Sequence, residues 1–329
     1  MQRRDFLRHV CCASSSGFAL NAVPALAAAL AAGAPQASNV AAPRVVALDW
    51  GIAETLLALG VTPAGVAETG AYNDSVVSPA VPTSVPDIGL RLAPSLELLQ
   101  QLAPDFILIN SSQESQRELL ERIAPVRAFA VYTDAGAPLQ HAEAITLQLG
   151  QLCNRTEAAR ALIDATHAIF TQCRVQLQTR RDAGATARRP LLLVRFFDAR
   201  HIGVYGARSL FQDVLDALGV TNAWQGATDY WGIGVAGLEK LASPADADLL
   251  YFDPLPVGVA HTLANNRLWH ALPAVAAGRV AALPPFWGFG MVPSAARFAH
   301  ALTAVLAEDE HEHGAPRATE ITNTAEGLL

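Results

Sequence analysis

The chain has 329 residues, of which 51% are hydrophobic and 16% charged, with a formal net charge of −7. That is enough apolar material for two substantial cores. The acid excess argues against nucleic acid, because phosphate binding needs clustered Lys and Arg. Past the N-terminal leader, no apolar run reaches the length that spans a bilayer.

Residues 1–27 read as an export signal. Arg3-Arg4-Asp5-Phe6-Leu7 resembles the twin-arginine motif, a weakly apolar Ala-rich stretch follows, and Ala25-Leu26-Ala27 suits a signal peptidase. Gln2 and Arg8 depart from the commoner residues of that motif. Cys11 and Cys12 lack the small apolar residues that precede a lipidated cysteine. Loss of the leader leaves Cys153 and Cys173, 20 positions apart in helical sequence. A continuous helix would hold them about 30 Å apart, so two buried free thiols are expected rather than a disulfide.

After a linker over 28–42, strands and helices alternate. "RVVALDW" predicts a strand and "IAETLLALG" a helix closed by Gly60. "AGVAET" predicts a second strand. A tight turn at Gly89-Leu90-Arg91 leads to a helix over 95–102 and a strand over 105–110. "ESQRELLERIA" predicts a helix stopped at Ala124-Pro125, and "RAFAVY" a strand. This rhythm implies a parallel sheet covered on both faces, in a lobe over 43–154.

From His141 to about Arg181 the pattern is helical, with a stop and a new cap at Asn154-Arg155-Thr156. The second piece, over 155–181, would run about 39 Å. Its stripe of Ala158, Leu162, Ala165, Ile169, Cys173 and Val175 is one-sided. Alternation resumes in a second lobe over 189–307, with strands in "PLLLVRFF" and "HIGVYG", a helix over 209–218, a late strand "GRVAALPP" and a final helix "PSAARFAHALTAVLAE". "GLEKLASPADADLLYFD" echoes "SLELLQQLAPDFILIN". The fold class is therefore α/β, two similar lobes joined by one long rigid helix. Residues 308–329 are charged and patternless, which predicts a disordered acidic tail.

Catalytic signatures are missing: there is no Gly-x-Ser-x-Gly elbow, no phosphate-cradling Gly-Lys-Ser/Thr loop and no His-Glu-x-x-His. The chain is accordingly not read as an enzyme. Of nine histidines only His311 and His313 lie close together, in the tail, so no metal site is assigned. What stands out is aromatic residues beside glycines. "TDYWGIG" carries Tyr230 and Trp231. "PPFWGFG" carries Phe286, Trp287 and Phe289 just past the carboxyl end of a strand, where ligands of parallel sheets collect. Each ring alone would serve as well to cap its own core; together they point to a pocket on loops carried by a rigid scaffold. An arginine on a turn is ordinarily solvated. Arg91, however, sits in a connection that would reach the cleft rim, and its fork of five donors suits an array of chelating oxygens.

"RVVALDWGIAETLLALGVTPAGVAET", "DIGLRLAPSLELLQQLAPDFILI", "RIAPVRAF", "SLFQDVLDALGVTNAWQGATDYWG" and "AALPPFWGFG" together resemble the ferric-hydroxamate periplasmic binding proteins, the siderophore receptors of ABC importers. The resemblance covers about 43–306. It implies two α/β lobes on a long helix, a ferric siderophore in a shallow cleft with iron held by the siderophore alone, no other cofactor, and an inner-membrane ABC permease as partner. It places Arg91 against the hydroxamate oxygens and Trp231 and Trp287 as aromatic walls. It places Glu118 and Glu239, otherwise ordinary solvated charges, where each lobe docks on permease arginines. Tyr72, Tyr230 and Phe286 are expected to add contacts. The sequence departs from the family pattern at Ser75, at Ser111 or Ser112, and at Phe289, where aromatics or tyrosines are usual, so the particular siderophore stays open. The protein is read as a periplasmic monomer. The alternatives are the same fold carrying a corrinoid, haem or catecholate, or an exported enzyme on a two-lobed scaffold. A catecholate complex is strongly anionic and needs several basic residues in the cleft, and Arg91 is the one clear candidate.

Overall fold

In the computed structural model, which describes residues 42–182 and 189–308, the first strand gives way to the first helix at Asp49. The expected leader, most of the linker and the tail with His311 and His313 lie outside the described residues. Strand β1 is Val45–Ala47 and helix α1 is Trp50–Ala58. Strand β2 (Gly65–Val66) and helix α2 (Thr69–Ser75) follow. A small antiparallel hairpin pairs β3 (Gly89–Leu90) with β4 (Ala93–Pro94). Helix α3 (Leu96–Leu102), capped by the Ser95 hydroxyl, leads into β5 (Phe106–Asn110). A 3-10 turn over Ser111–Gln116, helix α4 (Arg117–Leu120) and β6 (Val126–Phe129) complete the first lobe's sheet.

That sheet has the order β2-β1-β5-β6 and is parallel throughout. Its central residues alternate between two cores: Val45, Ala47 and Leu108 enter one, while Val46, Ile107 and Ile109 enter the other. Period-two alternation with both faces covered explains why the strands read as unbroken apolar runs.

Helix α5 (Pro138–Leu152) and the 27-residue α6 (Thr156–Asp182) come next. At 1.5 Å per residue α6 is about 40 Å long. Cys153, at the break between them, and Cys173 within α6 are both buried and unpaired, as expected. Burial pushes the Cys153 thiol up to about 11 and Cys173 up as well, which makes both unreactive.

The second lobe contains β7 (Leu191–Phe196), β8 (His201–Tyr205), α7 (Leu210–Leu218), β9 (Ile233–Gly237), a 3-10 turn over Leu238–Ala242 and β10 (Asp248–Phe252). Short helices α8 (Val259–Ala264), α9 (Arg267–Ala271) and α10 (Pro273–Ala276) lead to β11 (Val280–Leu283) and α11 (Val292–Glu308). The order is β11-β10-β7-β8-β9. Strands β11, β10 and β7 are parallel, but β8 and β9 are antiparallel. The likeness of the lobes is thus confined to their parallel strands. The four-residue link from β7 to β8 is too short for a crossover and permits only a hairpin. Strand β9 occupies part of the stretch expected to be loop.

Helix α11 packs along α6 and also reaches α1, α5 and α7. Its first turn enters the first lobe: Met291 and Val292 are buried with Trp50, Ile52 and Tyr132. The described residues belong to one compact unit.

Candidate functional site

Arg91 sits at the tip of the β3–β4 hairpin, and its position is over-determined. Its carbonyl accepts from Gln113 Nε2 at 3.1 Å and Gln116 Nε2 at 3.4 Å. Its Nε donates to Glu68 Oε2 at 2.8 Å, and its backbone N–H points to the other oxygen of the same carboxylate. The guanidinium carbon lies 4.0 Å from the Trp50 ring centre and 4.8 Å from that of Trp287, within cation–π range of both. No hydrogen bond among the described residues occupies its terminal nitrogens.

Two acids order this corner. Asp87 accepts backbone N–H groups from Glu68, Thr69 and Gly89. Burial alone would raise its carboxyl; those donated bonds leave it below the ordinary range. Glu68, the N-cap of α2, has a left-handed backbone (φ +52°), a conformation that disfavours any residue with a Cβ.

Beside Arg91 lies a polar chain anchored in helix caps. Asp49 Oδ1 caps α1 by accepting from Ile52 N–H at 3.0 Å. Its Oδ2 accepts from Asn110 Nδ2 at 2.7 Å, and Asn110 Oδ1 accepts from the Ser112 hydroxyl at 2.6 Å. Gln113 closes the turn by accepting Asn110 N–H. Burial pushes the Asp49 carboxyl up, against the opposing pull of the Ile52 and Asn110 bonds and the Arg91 charge.

Facing this chain is a wall of rings. Trp287 packs on Trp50 with centres 4.5 Å apart and on Phe289 at 5.1 Å. Phe289 meets Trp231 at 6.3 Å and Tyr132 at 5.8 Å, both edge-on. Tyr230 stands edge-on to Trp231, and its hydroxyl donates to the Tyr132 carbonyl. The Tyr132 hydroxyl donates to the Gly288 carbonyl at 3.1 Å. Tyr230, Trp287 and Phe289 therefore come from the second lobe in sequence but pack on the core of the first. Polar chain and wall enclose a cleft of about 480 Å³, with Phe129 and Val131 in its lining. That volume suits a small ligand.

Five of the expected contact residues converge here: Arg91, Tyr230, Trp231, Trp287 and Phe289. Ser111 and Ser112 also line the cleft, while Ser75, at the end of α2, does not. Two expectations are corrected. Tyr72 is fully buried in the first lobe's core, edge-on to Trp50, and its hydroxyl donates to the Pro79 carbonyl at 2.8 Å. Phe286 is buried in the second lobe among Phe211, Phe252 and Phe298. Both rings are held by the lobe interior, so neither reaches a ligand. Glu118, on α4 with its side chain 94% exposed, and Glu239, exposed on the turn after β9, lie outside the cleft. Asp49, Trp50, Glu68, Asn110 and Tyr132 were not anticipated. Only the strand-to-helix position of Asp49 and Asn110, at carboxyl ends of parallel strands, could have marked any of them. Among the described residues no three of His, Cys, Asp or Glu gather as metal ligands.

Two α/β lobes on a helical spine, with an aromatic cleft between them and one fixed cation in it, define a two-lobed ligand-binding protein. Comparison makes this specific. Residues 45–286 match the family model described as periplasmic binding protein, and the chain belongs to that family. It is 39% identical over 259 residues to the iron(3+)-hydroxamate-binding protein FhuD of Escherichia coli K12, covering 79% of this chain and 85% of that protein. The crystal structure of the Fe3+–Desferal-bound siderophore-binding protein FhuD from Vibrio cholerae superposes with a TM-score of 0.75 at 32% identity, over 80% of this chain and 97% of the other. The triscatecholate siderophore-binding protein FeuA of Bacillus subtilis, with ferri-bacillibactin, shares the fold at a TM-score of 0.65 and 15% identity, over 83% and 95%. Fold alone therefore does not choose the cargo.

Proposed function

We propose that this protein captures a ferric hydroxamate siderophore in the periplasm and delivers it to an inner-membrane ABC permease, with iron held by the siderophore alone. The observation that carries the reading is Arg91: a guanidinium clamped by Glu68, Trp50 and Trp287, its terminal donors unoccupied among the described residues, on the edge of an aromatic cleft. Such a site offers N–H groups to chelating oxygens and flat apolar surface to the organic backbone that wraps the metal. The Ser111 and Ser112 hydroxyls supply further polar contacts beside it. The two FhuD proteins named above support the hydroxamate class, and every relative named above is a binding protein. The twin-arginine leader supplies the export route, and Glu118 and Glu239, one exposed carboxylate on each lobe, supply the permease contacts.

The test is quenching of tryptophan fluorescence by titration with ferric desferrioxamine B, a tris-catecholate and a corrinoid, on wild type and Arg91→Ala. Quenching by the hydroxamate alone is expected. A charge-assisted hydrogen bond contributes about 1.5–3 kcal/mol, so Arg91→Ala should weaken binding roughly tenfold or more while leaving the fold intact. Saturable binding of the corrinoid or catecholate in place of the hydroxamate would reject the reading.

A further inference from the structure

We infer that Glu68 is a specificity residue: by cancelling the charge of Arg91 while leaving its terminal donors free, it selects neutral and cationic ferric trihydroxamates against anionic ferric complexes. The inference rests on the siderophore-binding function proposed above and specifies which charge class the site takes.

Among the described residues, the cleft lining contains one cation, Arg91, and one carboxyl, Asp49. Glu68 stands just behind Arg91 and binds its Nε at 2.8 Å. Both partners are less than a third exposed, with side chains at 28% and 22%, so water screens the pair only partly. The Nε bond uses one of five guanidinium N–H groups and leaves the four on the terminal nitrogens. Arg91 thus presents donors without an uncompensated charge. Asp49 adds a negative charge when ionised and none when protonated, so the cleft has no net positive charge in either state.

The backbone shows how closely Glu68 is held. It adopts the left-handed region at φ +52°. Its N–H engages Gly89 O at 3.0 Å and Asp87 Oδ1 at 3.1 Å, tying the carboxylate's own turn to the hairpin that carries Arg91. A solvent-facing ion pair would need none of this. A trihydroxamate complex of iron(III) has a neutral centre ringed by oxygens, which suits donors of a neutralised pair. A tris-catecholate centre is triply anionic and meets no net positive counter-charge here.

A charge series on one chelate tests this. Ferric desferrioxamine B carries a free ammonium; its N-acetyl derivative is neutral and its N-succinyl derivative is anionic, with the iron centre unchanged. Dissociation constants are measured for all three on wild type and Glu68→Gln. Wild type should favour the cation over the anion, and Glu68→Gln should shift that ratio about tenfold towards the anion. Wild-type preference should also shrink as salt rises from roughly 20 to 500 mM, a measurement that needs no variant. Two results would overturn the inference while leaving the siderophore-binding function standing. One is a ratio unmoved both by the substitution and by salt. The other is a Glu68→Gln protein that loses all three ligands equally, which would make Glu68 a support for Arg91 only. Wild type that binds none of the three removes the function and this inference together.

Discussion

Phe289 shows what a single ring atom decides in this cleft. The resemblance puts a ligand-donating tyrosine at its position, and here the ring packs edge-on between Tyr132 and Trp231 with no polar handle. The neighbouring phenols do not replace it, because Tyr132 donates to Gly288 and Tyr230 to the Tyr132 carbonyl. The Ser112 hydroxyl is likewise committed, to Asn110 Oδ1, so direct donation to the ligand falls to Arg91 and Ser111. Phe289→Tyr should restore a donor worth about 0.5–1.5 kcal/mol, a gain of roughly twofold to just over tenfold in affinity for ferric desferrioxamine B by fluorescence titration. No gain would mean that the para position of this ring points away from the ligand. At this scale the position of a side chain is unevenly legible in the sequence. Arg91, Trp231 and Trp287 were legible because a cation on a turn and indoles beside glycines are odd in a chain with few charges. Tyr72 and Phe286 were misplaced, since nothing in a local sequence says towards which side an aromatic ring turns. Asp49 and Asn110 were overlooked because, as helix caps, they look like ordinary punctuation.

Helix α11 is the element that brings the second lobe's wall to the first lobe, and it is fastened by one buried acid. Glu54 of α1 accepts from the Met291 backbone N–H and from the Ser294 hydroxyl, the latter at 2.7 Å. A Cβ at Gly290 would strike Ser294 of α11 and come within 3.0 Å of Glu54 Oε1 of α1, so the loop carrying Trp287 and Phe289 runs tight between the two helices. Burial pushes the Glu54 carboxyl up to about 7 despite these donors and the Arg297 charge. A carboxyl raised in the folded state favours folding most when protonated in both states, below about 4.5. That contribution, about 3 kcal/mol, is lost as pH rises through about 7. Glu54→Gln retains one acceptor and offers a donor that the Ser294 hydroxyl accepts after rotating. Urea unfolding should show wild type losing stability between about pH 5 and pH 8 relative to Glu54→Gln. Parallel pH profiles for the two proteins would show that Glu54 is not the titrating group. Elements such as β1, β5, α6 and α11 were readable because burial on two faces, or on one stripe, leaves a periodic trace. Strand β9 was not: "IGVAG" has two glycines and an exposed Val235, and it becomes a strand only by pairing with β8.

At the scale of the whole molecule, the cleft is built from both lobes locked together. Its wall belongs in sequence to the second lobe yet is packed into the first lobe's core, and the hydrogen bonds from Tyr132 to Gly288 and from Tyr230 to Tyr132 cross the same boundary. Helix α6 runs behind both lobes and α11 lies along it while reaching α1 and α5. A hinge closure would have to bend a 27-residue helix and pull Met291 and Val292 from a packed interior. Exposing two such side chains costs about 1.5–3 kcal/mol each. A shallow cleft contacted by few side chains has little binding energy to offset that, since only the surplus over ordering costs appears as affinity. Binding should therefore order side chains at the rim, with the 42%-exposed Trp231 foremost, rather than swing the lobes. Small-angle scattering with and without ferric desferrioxamine B should give superimposable profiles at saturation. Trp231→Ala should lower affinity without changing either profile. A distinct compaction on binding would mean that the contact between the aromatic loop and α1 opens in solution, and that the cleft seen here is the closed member of a pair.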